Sequence, residues 1–398
     1  MIKLLSVRIF VTILLLSFFF HGNAQGNSIE EDTSQIILIS DMLVQIEANQ
    51  AMNDLYNFKF DKAEAQFRWM KHKYSWHPLP YFLLGLSEWW KIMPNLSNKD
   101  HDEKFLAYMD SVIVLSDNIA KSPRRKVEAA FFTAAAYGFI GRLHSSEERK
   151  NWRKSATAGK NALKYLKESK GRHDLSPELL FGDALYNYFS VWVPENYPFL
   201  KPIMLLFPKG DKELGIKQLK EVSYNAFYTR TEAQVFLMRI LNSYENERRA
   251  ALQIGEYLHQ TYPDNPFFHR YYARLLYSSG QYTKAKPVAE TIMAKIDSGS
   301  LGYEATSGRY AAFFLGQINE SRKKYDDAAY YYERAVTFAR EIDATESGYY
   351  HYSLLSLGDI ARKKGDKRKA REYYKLVKKE AKRSDKAHER ARRSLKNL

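Results

Sequence analysis

The chain has 398 residues, of which 45% are hydrophobic, 15% aromatic and 27% charged, and its formal net charge is +15. This composition excludes a disordered chain, because it supplies enough apolar and aromatic side chains for a folded core. The absence of cysteine excludes disulfides, a thiol nucleophile, cysteine-ligated zinc and the acylated cysteine of a lipoprotein.

The N-terminus has the pattern of an export signal. Lys3 and Arg8 precede an apolar run over residues 9–20, and small residues follow it as signal peptidase requires. The run is shorter than the roughly 20 residues of an ordinary spanning helix. We predict a bacterial secretory signal at residues 1–24 and a polar tether at 25–33. An uncleaved anchor is the alternative; either way the chain is expected in the periplasm or peripheral to the envelope membrane.

Residues 34–193 show successive helical patterns, which we interpret as N-terminal helical repeats. In the first pattern, over residues 36–55, Ile36, Ile39, Leu43 and Ile46 fall on one stripe of a helix. Farther along, the small and aromatic run at 128–140 (EAAFFTAAAYGFI) predicts a helix that is closely packed on both sides.

Four prolines then interrupt the helical pattern, and they cannot all lie inside one regular helix. They are Pro194, Pro198, Pro202 and Pro208. We predict a Pro-rich connector over 194–211. Its apolar part, 199–207, is either a bent element that closes the core or an apolar flap that touches a membrane or a partner. Asp211 is positioned to cap the helix that follows.

Two matching stretches near the C-terminus predict closely packed helix pairs. The matched residues are Gly316, Ala328 and Tyr332 in the first stretch, and Gly358, Ala370 and Tyr374 in the second. In each stretch the glycine precedes the alanine by 12 residues, and the tyrosine follows the alanine by four. Small residues at these places allow two helix backbones to come close, and the tyrosine fills the adjacent space.

These two stretches resemble tetratricopeptide (TPR) repeats, with a small residue, an aromatic and a small residue on the second helix. The segment from Pro208 to Gly215 reads PxGDxExG and, with Leu185–Tyr188, resembles a segment of exported bacterial repeat proteins. It resembles more faintly a eukaryotic TPR family linked to inclusion-body clearance. The resemblance implies TPR-like repeats over 212–382 and no enzymatic activity.

The expected fold is all-α, an α–α superhelix of about eight irregular helix pairs. The absence of βαβ alternation disfavours an α/β enzyme fold.

In a TPR solenoid the groove is lined by outward residues of the first helix of each pair. The register set by Ala285, Ala328 and Ala370 then predicts a set of partner-binding residues. They are Phe267, Arg270, Arg274, Tyr277, Tyr310, Phe313, Gln317, Tyr352, Asp359 and Arg362, with Glu320 and Leu355 on the same faces. Arg270 and Arg274 lie one turn apart, and we expect them to grip a carboxylate of a bound peptide.

Catalytic chemistry has no support in the sequence. No HExxH, GxSxG, GxGxxG or P-loop pattern is present. Histidines such as His72, His77 and His101 are scattered rather than grouped as a set of three or four ligands. We therefore expect no enzyme, catalytic residue, metal, cofactor or small-molecule substrate.

Most of the positive charge lies at the C-terminal end. Residues 362–398 contain 17 Lys and Arg against five Asp and Glu, and residues 367–396 have the pattern of one long helix. We treat 383–398 as a basic C-terminal tail. The charge suits an anionic surface of the envelope, a lipid or a polymer, but a solvated helix that caps a solenoid would look alike. Nucleic acid would also suit the charge; the export signal argues against it.

Taken together, the sequence predicts a non-enzymatic interaction scaffold of the bacterial cell envelope. Its partner is expected to be a protein, which presents a peptide or a helix to the TPR groove. The alternative is a binder of anionic membrane or envelope polymer that acts through the basic C-terminal helix.

Overall fold

The computed structural model describes residues 37–196, 198, 201 and 208–398. The described part contains 17 α-helices and no strand. This all-α architecture of antiparallel helix pairs is TPR-like, and it confirms the fold that the sequence predicts. The predicted signal (1–24), the tether (25–33) and, apart from Lys201, the apolar segment 199–207 lie outside the described residues.

The first compact unit comprises the described residues up to 92 and those from 98 to 244. Its helices are α1 Met42–Tyr56, α2 Phe60–Lys73, α3 Pro78–Ile92, α4 Asp102–Ile119, α5 Lys126–His144, α6 Trp152–Ser169, α7 Leu180–Asn196, α8 Lys212–Asn225 and α9 Arg230–Ser243.

The second compact unit comprises residues 93–97 and 245–398. Its helices are α10 Arg248–Thr261, α11 Pro266–Ser278, α12 Tyr282–Asp297, α13 Ala305–Ser321, α14 Tyr325–Glu341, α15 Gly348–Lys363, α16 Lys367–Glu380 and α17 Lys386–Lys396. None of the helices that the structure describes, in either unit, is both long and apolar enough to cross a membrane.

A glycine faces a buried tyrosine ring in two successive helix pairs of the second unit. A Cβ added to Gly316 of α13 would lie 2.6 Å from the ring of Tyr332 on α14. A Cβ on Gly358 of α15 would lie 2.5 Å from the ring of Tyr374 on α16. Both tyrosines are fully buried. The close approach that the matched stretches predict is therefore present in both pairs.

The PxGDxExG segment begins α8 and packs it against α7. A Cβ on Gly215 would lie 2.6 Å from the backbone nitrogen of Tyr188, and one on Gly210 would lie 2.6 Å from the carbonyl oxygen of Asn187. Both glycines are therefore places where backbone meets backbone. Asp211 caps α8 as predicted, since its Oδ1 accepts a hydrogen bond from the backbone N–H of Leu214 at 3.0 Å.

The predicted apolar stripe of the first helix is wrong. Leu43 and Ile46 are 71% and 64% exposed, whereas Val44 and Ala48 are buried. The reason is a break in the helix: a 3-10 turn over residues 38–40 precedes α1, and the side chain of Asp41 caps that helix. Residues before and after the break therefore do not share one helical phase.

Two other helix boundaries differ from expectation. Helix α7 continues through Pro194 to Asn196, because a proline in the last turn removes only one backbone hydrogen bond. The stretch predicted as one helix over 367–396 is two helices, since Ala381 has an extended backbone between them.

The prediction that the run 128–140 packs closely on both sides is also wrong. One side of α5 meets α6, where a Cβ on Gly141 would lie 3.6 Å from the Cβ of Ala158. On another side, Ala134, Ala135 and Gly138 are only half-buried. A Cβ on Gly138 would meet no atom within 4 Å.

A candidate anion-binding site of arginines and tyrosines

The first helices of three successive pairs in the second unit bring basic and aromatic side chains together. Arg270 and Arg274 lie on α11, Arg309 and Tyr310 on α13, and Tyr349 on α15. We call these five residues the arginine–tyrosine site. Because side chains four residues apart share a helix face, α11 presents both of its arginines to the same side.

Local sequence fixes where α11 begins. Asn265 precedes the helix, and its Oδ1 accepts hydrogen bonds from the backbone N–H groups of Phe267 at 3.0 Å and Phe268 at 3.1 Å. Pro266 occupies the first helical position, where its missing N–H costs nothing. This start determines the face on which the two arginines appear one turn later.

Arg270 is the interior member of the site. It is only 6% exposed, and its Nη1 donates to the carbonyl oxygen of Pro94 and to Oγ of Ser307, each at 3.0 Å. Burial lowers the pKa of Arg270 to about 10, which still leaves the guanidinium protonated at neutral pH. Arg270 thus adds a fixed positive charge and holds the position of neighbouring segments.

Arg274 is stacked between tyrosines. Its Cζ lies 4.8 Å from the ring centroid of Tyr310 and 5.2 Å from that of Tyr271. A guanidinium over an aromatic face is stabilised by the ring quadrupole. The side chain is partly exposed, so this charge is held in place while remaining partly accessible.

Arg309 is the least satisfied of the three arginines. Its Nη2 donates to the hydroxyl of Tyr310 at 3.1 Å, and its Cζ lies 4.7 Å from the centroid of that ring. Its Nε is buried and has no hydrogen-bond partner. A buried donor without an acceptor is uncommon in folded proteins.

No carboxylate neutralises this group of charges. Among the described residues, no Asp or Glu oxygen lies within 4.0 Å of a nitrogen of Arg270, Arg274 or Arg309. Glu304 is near Arg270, but its carboxylate accepts from Nδ2 of Asn95 at 3.1 Å. Burial raises the pKa of Glu304, although Asn95 and Arg270 oppose the rise. The local charge is therefore positive.

The pKa of Tyr310 reports this positive charge. Burial alone would raise it, but the guanidinium groups of Arg274, Arg309 and Arg270 outweigh burial and lower the pKa below its usual value. Cations lower a phenol pKa because they stabilise the phenolate. An anion bound at the site would gain from the same field.

Aromatic rings form a wall beside the arginines. Tyr349 packs against Tyr310 with ring centroids 4.9 Å apart, and against Phe313 at 5.0 Å. Tyr277 stacks on Phe314 at 4.1 Å. Such rings offer apolar contact next to charge, which is the composition of well-bound anchor positions in protein interfaces.

The structure brings together about half of the predicted partner-binding residues. Arg270, Arg274, Tyr310, Phe313 and Tyr277 lie at or beside the site. Their role in binding a partner stays a prediction.

The other predicted residues have different surroundings. The side-chain amide of Gln317 donates to the hydroxyl of Tyr332 at 2.5 Å, and Asp359 accepts from that of Tyr374 at 2.5 Å. Phe267 is buried beside the site, since its ring centroid lies 5.5 Å from Cζ of Arg270. Tyr352 is half-buried and Arg362 is exposed. Gln317 directly follows Gly316, and Asp359 directly follows Gly358. Each therefore hydrogen bonds to the tyrosine whose ring packs against that glycine.

Sequence reasoning missed Arg309 and Tyr349. The predicted groove register included Tyr310 but not its neighbour in the chain, because a helical wheel places adjacent residues 100° apart. The side chain of Arg309 returns to Tyr310 through its long flexible stem. The sequence did contain a signal for Arg309: a basic residue directly precedes Tyr310, which was predicted to line the groove.

Metal binding finds no support in residues 37–398 as far as they are described: no three His, Asp or Glu side chains converge there as ligands. The arginine–tyrosine site has the donors for an anion rather than for a cation.

No protein-family model and no curated protein sequence matches this chain. Among solved structures, it is similar to the human IFIT1 dimer with m7Gppp-AAAA, at 15% identity and a TM-score of 0.39, over 80% of this chain and 67% of that one. It is similar to yeast Tom70 at 10% identity and a TM-score of 0.27, over 88% and 94% of the two chains. The TPR domain of P58(IPK) gives 15% identity and a TM-score of 0.21, over 89% and 98%.

Proposed function

We propose that this chain is a non-enzymatic interaction scaffold that holds an acidic group of a protein partner at the arginine–tyrosine site. The observation that carries the proposal is the group of three guanidinium charges without a carboxylate partner among the described residues.

A carboxylate fits these donors for geometric reasons. The guanidinium group presents N–H donors in a planar fork that matches the two oxygens of a carboxylate. The neighbouring rings of Tyr349 and Phe313 would cover apolar side chains beside the acidic one. Affinity would then come mainly from the buried rings, and specificity from the charges.

The place of action follows from the signal predicted at residues 1–24. The scaffold is proposed to act after export, in the periplasm or at the membrane periphery of the bacterial envelope. In that compartment protein partners are more accessible than nucleic acids, which is why the acidic ligand is assigned to a protein.

A matched pair of peptides tests the proposal. One fluorescein-labelled peptide would contain two glutamates among leucine and phenylalanine, and the second would contain glutamine in their place. Fluorescence anisotropy should show binding of the acidic peptide at least about tenfold tighter than its amide counterpart. Equal affinities would contradict the role of the charges.

Variants locate the binding on the surface. Arg309→Gln and Arg274→Gln should each weaken binding of the acidic peptide by about tenfold or more. The control is Arg322→Gln, an equal loss of charge at an exposed position of the same unit. Arg270→Gln is unsuitable because Arg270 is buried and bonded to Pro94. A labelled oligo(A) RNA is the competing probe, and tighter binding of that RNA would overturn the assignment to a protein partner.

The basic C-terminal helices support a second candidate function, contact with an anionic surface. All 17 Lys and Arg of residues 362–398 are exposed. Such a concentration of charge attracts anionic lipid headgroups with about 1 kcal/mol per basic residue near the surface.

Charge reversal tests this candidate without deleting a helix. The triple variant Lys378→Glu, Lys379→Glu, Arg383→Glu changes three exposed residues and leaves the buried Tyr374 in place. Sedimentation with vesicles containing phosphatidylglycerol should show binding by the wild type and loss of binding by the variant. Binding that the variant retains would reject this candidate.

A further inference from the structure

Three segments of the first unit meet at the buried carboxylate of Glu128. Its Oε1 accepts a hydrogen bond from the backbone N–H of Ile39 at 2.8 Å and lies 3.2 Å from Nε2 of His77. Both His77 and Glu128 are buried. The start of the described chain, the turn after α2 and the start of α5 are therefore held together at one end of the unit.

The first helix presents apolar side chains to the outside at this end. Met42, Leu43 and Ile46 are 74%, 71% and 64% exposed. Leu43 and Glu47 lie one turn apart on α1 and share a face, and Glu47 accepts from Nζ of Lys73 on α2 at 2.5 Å. This contact brings the exposed apolar face of α1 beside the last turn of α2.

Two exposed tryptophans lie at the same end of α2. Trp69 is 46% exposed, and Nζ of Lys73 lies 5.0 Å from its ring centroid. Trp76, in the turn after α2, is 40% exposed, and Cζ of Arg125 lies 4.2 Å from its ring centroid. Each indole is thus partly open to solvent with a cation beside it. We define the N-terminal patch as Met42, Leu43, Ile46, Trp69 and Trp76.

The chain around the N-terminal patch is basic. Residues 69–87 contain two Lys, residues 118–127 contain four Lys and Arg, and neither stretch contains Asp or Glu. The adjoining residues 37–53 contain two acids, Asp41 and Glu47. Six cations against two acids make the surroundings of the patch positive, which favours contact with an anionic partner.

The chain reaches the N-terminal patch from its predicted export signal. The apolar run at residues 9–20 ends 17 residues (37 − 20) before Ile37, the first described residue. The sequence predicts that this run inserts into a membrane, either before cleavage or as an uncleaved anchor. Among the described helices, α1 is therefore the closest in sequence to a segment that is expected to insert in a bilayer.

We propose that the N-terminal patch docks on the surface of a membrane that contains anionic lipid. Its aliphatic and indole side chains would enter the boundary between headgroups and acyl chains, where tryptophan is enriched because its ring is apolar and its N–H is polar. The neighbouring lysines and arginines would meet lipid phosphates, with their stems beside the apolar side chains.

The exposed aliphatic side chains favour lipid over nucleic acid. Sites for single-stranded nucleic acid combine positive charge with aromatic rings for stacking, and they have no need for Met42, Leu43 and Ile46 on the outside. The docking uses neither the arginine–tyrosine site nor the basic C-terminal helices, so it stands or falls apart from both candidate functions.

Tryptophan quenching by lipid tests the proposal on the full chain. Residues 1–24 contain no tryptophan, and Trp89, Trp90 and Trp192 are buried, so a quencher in the lipid reports on exposed indoles of the folded part. The vesicles would contain phosphatidylglycerol and a phosphatidylcholine with brominated acyl chains. The wild type should lose fluorescence in these vesicles, and it should lose less in vesicles without phosphatidylglycerol.

Substitutions locate the contact on the surface. Trp69→Phe with Trp76→Phe should remove most of the quenching, because phenylalanine keeps the apolar contact but not the indole fluorescence. Trp152→Phe is the matched control, since Trp152 on α6 is also 40% exposed, and its quenching should equal that of the wild type. Leu43→Gln with Ile46→Gln should also remove most of the quenching, because the apolar part of the contact is lost. The melting temperature of this variant should not fall, since both side chains are exposed.

Two further controls should be quenched like the wild type. Leu214→Gln changes an exposed leucine of α8, a helix that packs on α7 and α9. The triple variant Lys378→Glu, Lys379→Glu, Arg383→Glu removes charge from the basic C-terminal helices. Quenching that this triple variant loses would assign the lipid contact to those helices and overturn the proposal.

Four other outcomes would also overturn it. One is wild-type fluorescence that brominated lipid does not change, and another is equal quenching of the wild type and the Leu43→Gln, Ile46→Gln variant. The third is displacement of the lipid contact by labelled oligo(A) RNA that binds more tightly, which would assign the patch to nucleic acid. The fourth is a dimer in the absence of lipid that Leu43→Gln with Ile46→Gln dissociates, which would assign the patch to a second copy of the chain.

Discussion

In the second unit a glycine faces a buried tyrosine ring at matched places of two helix pairs, whereas in the first unit Gly138 faces open space. A Cβ on Gly316 would lie 2.6 Å from Tyr332, and one on Gly138 would meet nothing within 4 Å. The same residue type therefore allows a close approach at Gly316 and borders open volume at Gly138. A glycine in a helical pattern shows only that no side chain is present at that position. The helix that packs against it determines whether a ring fills the space or the space stays open.

Two buried tyrosines, one in each unit, also differ in whether their hydroxyl groups are hydrogen bonded. In the second unit the hydroxyl of Tyr332 donates to Glu320 at 2.8 Å and accepts from Gln317. In the first unit the hydroxyl of Tyr228 has no hydrogen-bond partner. The buried carboxylate of Glu178, also in the first unit, accepts several hydrogen bonds. Four changes test this contrast, in order of decreasing expected effect.

The largest effect is expected at Glu178, which joins the turn before α7 to the start of α9. Its carboxylate accepts from the backbone N–H groups of Phe227 at 2.5 Å, Tyr228 at 3.0 Å and Thr229 at 2.8 Å, and from the Thr229 hydroxyl at 2.6 Å. Glu178→Ala should lower the free energy of unfolding by about 3–5 kcal/mol, because several buried donors lose their acceptor. Urea unfolding measures it. In the control Glu168→Ala, at an exposed site, the change should stay within about 0.5 kcal/mol.

The second test makes one substitution in both units. Gly316→Ala should destabilise the protein by about 1–3 kcal/mol, because the new methyl overlaps a buried ring. Gly138→Ala should stabilise it by about 0.5–1 kcal/mol, because alanine favours a helix and has room there. Thermal unfolding of the two variants under one buffer compares the signs. Equal signs would remove the contrast between the two glycines.

The third test uses pH and concerns the second unit. His269 is 1% exposed and stacks on His259 with ring centroids 4.4 Å apart. Burial, followed by the charges of His259 and Lys295, lowers the pKa of His269 to about 3. The unfolded chain binds a proton near pH 6.5 and the folded chain does not, so this stability is complete above pH 6.5 and is lost as the pH falls towards 3.

The expected loss between pH 7 and pH 5 is about 2 kcal/mol from His269. Urea unfolding at a series of pH values measures it. His269→Gln should unfold with a slope that is smaller by about 1 kcal/mol per pH unit on average in this range. His259 also titrates with a lowered pKa, so part of the slope should remain. An unchanged slope would show that folding does not lower the pKa of His269.

The smallest effect is expected at the arginine–tyrosine site. Arg309→Gln should raise the free energy of unfolding by up to about 1 kcal/mol, because it removes a positive charge that has no carboxylate partner near two others. Added sodium chloride should stabilise the wild type more than the variant, since salt screens this repulsion. A clear loss of stability in the variant would mean that Arg309 has a structural role, and the binding proposal would lose its support from unpaired charge.

The sequence predicted the features whose causes lie within one helix pair. The spacing of Gly316, Tyr332, Gly358 and Tyr374 predicted two close contacts, and Asp211 was identified as a helix cap. These signals are local, because the period of a helix and the chemistry of its first turn determine them.

Features that depend on distant parts of the chain were not predicted. Glu178 accepts from backbone groups 49 to 51 residues away, and no spacing rule connects them. The run at 128–140 gave the composition of a close contact, but α6 packs on only one side of it. Small residues permit either contact or a cavity, and the sequence of α5 alone does not distinguish them.

The acceptor of Arg270 has a consequence for dividing this protein into fragments. Pro94 belongs to the five-residue segment 93–97, which is part of the second unit although the chain on either side of it is part of the first. A fragment that starts at residue 245 would therefore lack that carbonyl and leave the buried guanidinium of Arg270 with one of its two described hydrogen bonds, that to Ser307. Expression of residues 245–398 alone would therefore produce the second unit without its segment 93–97.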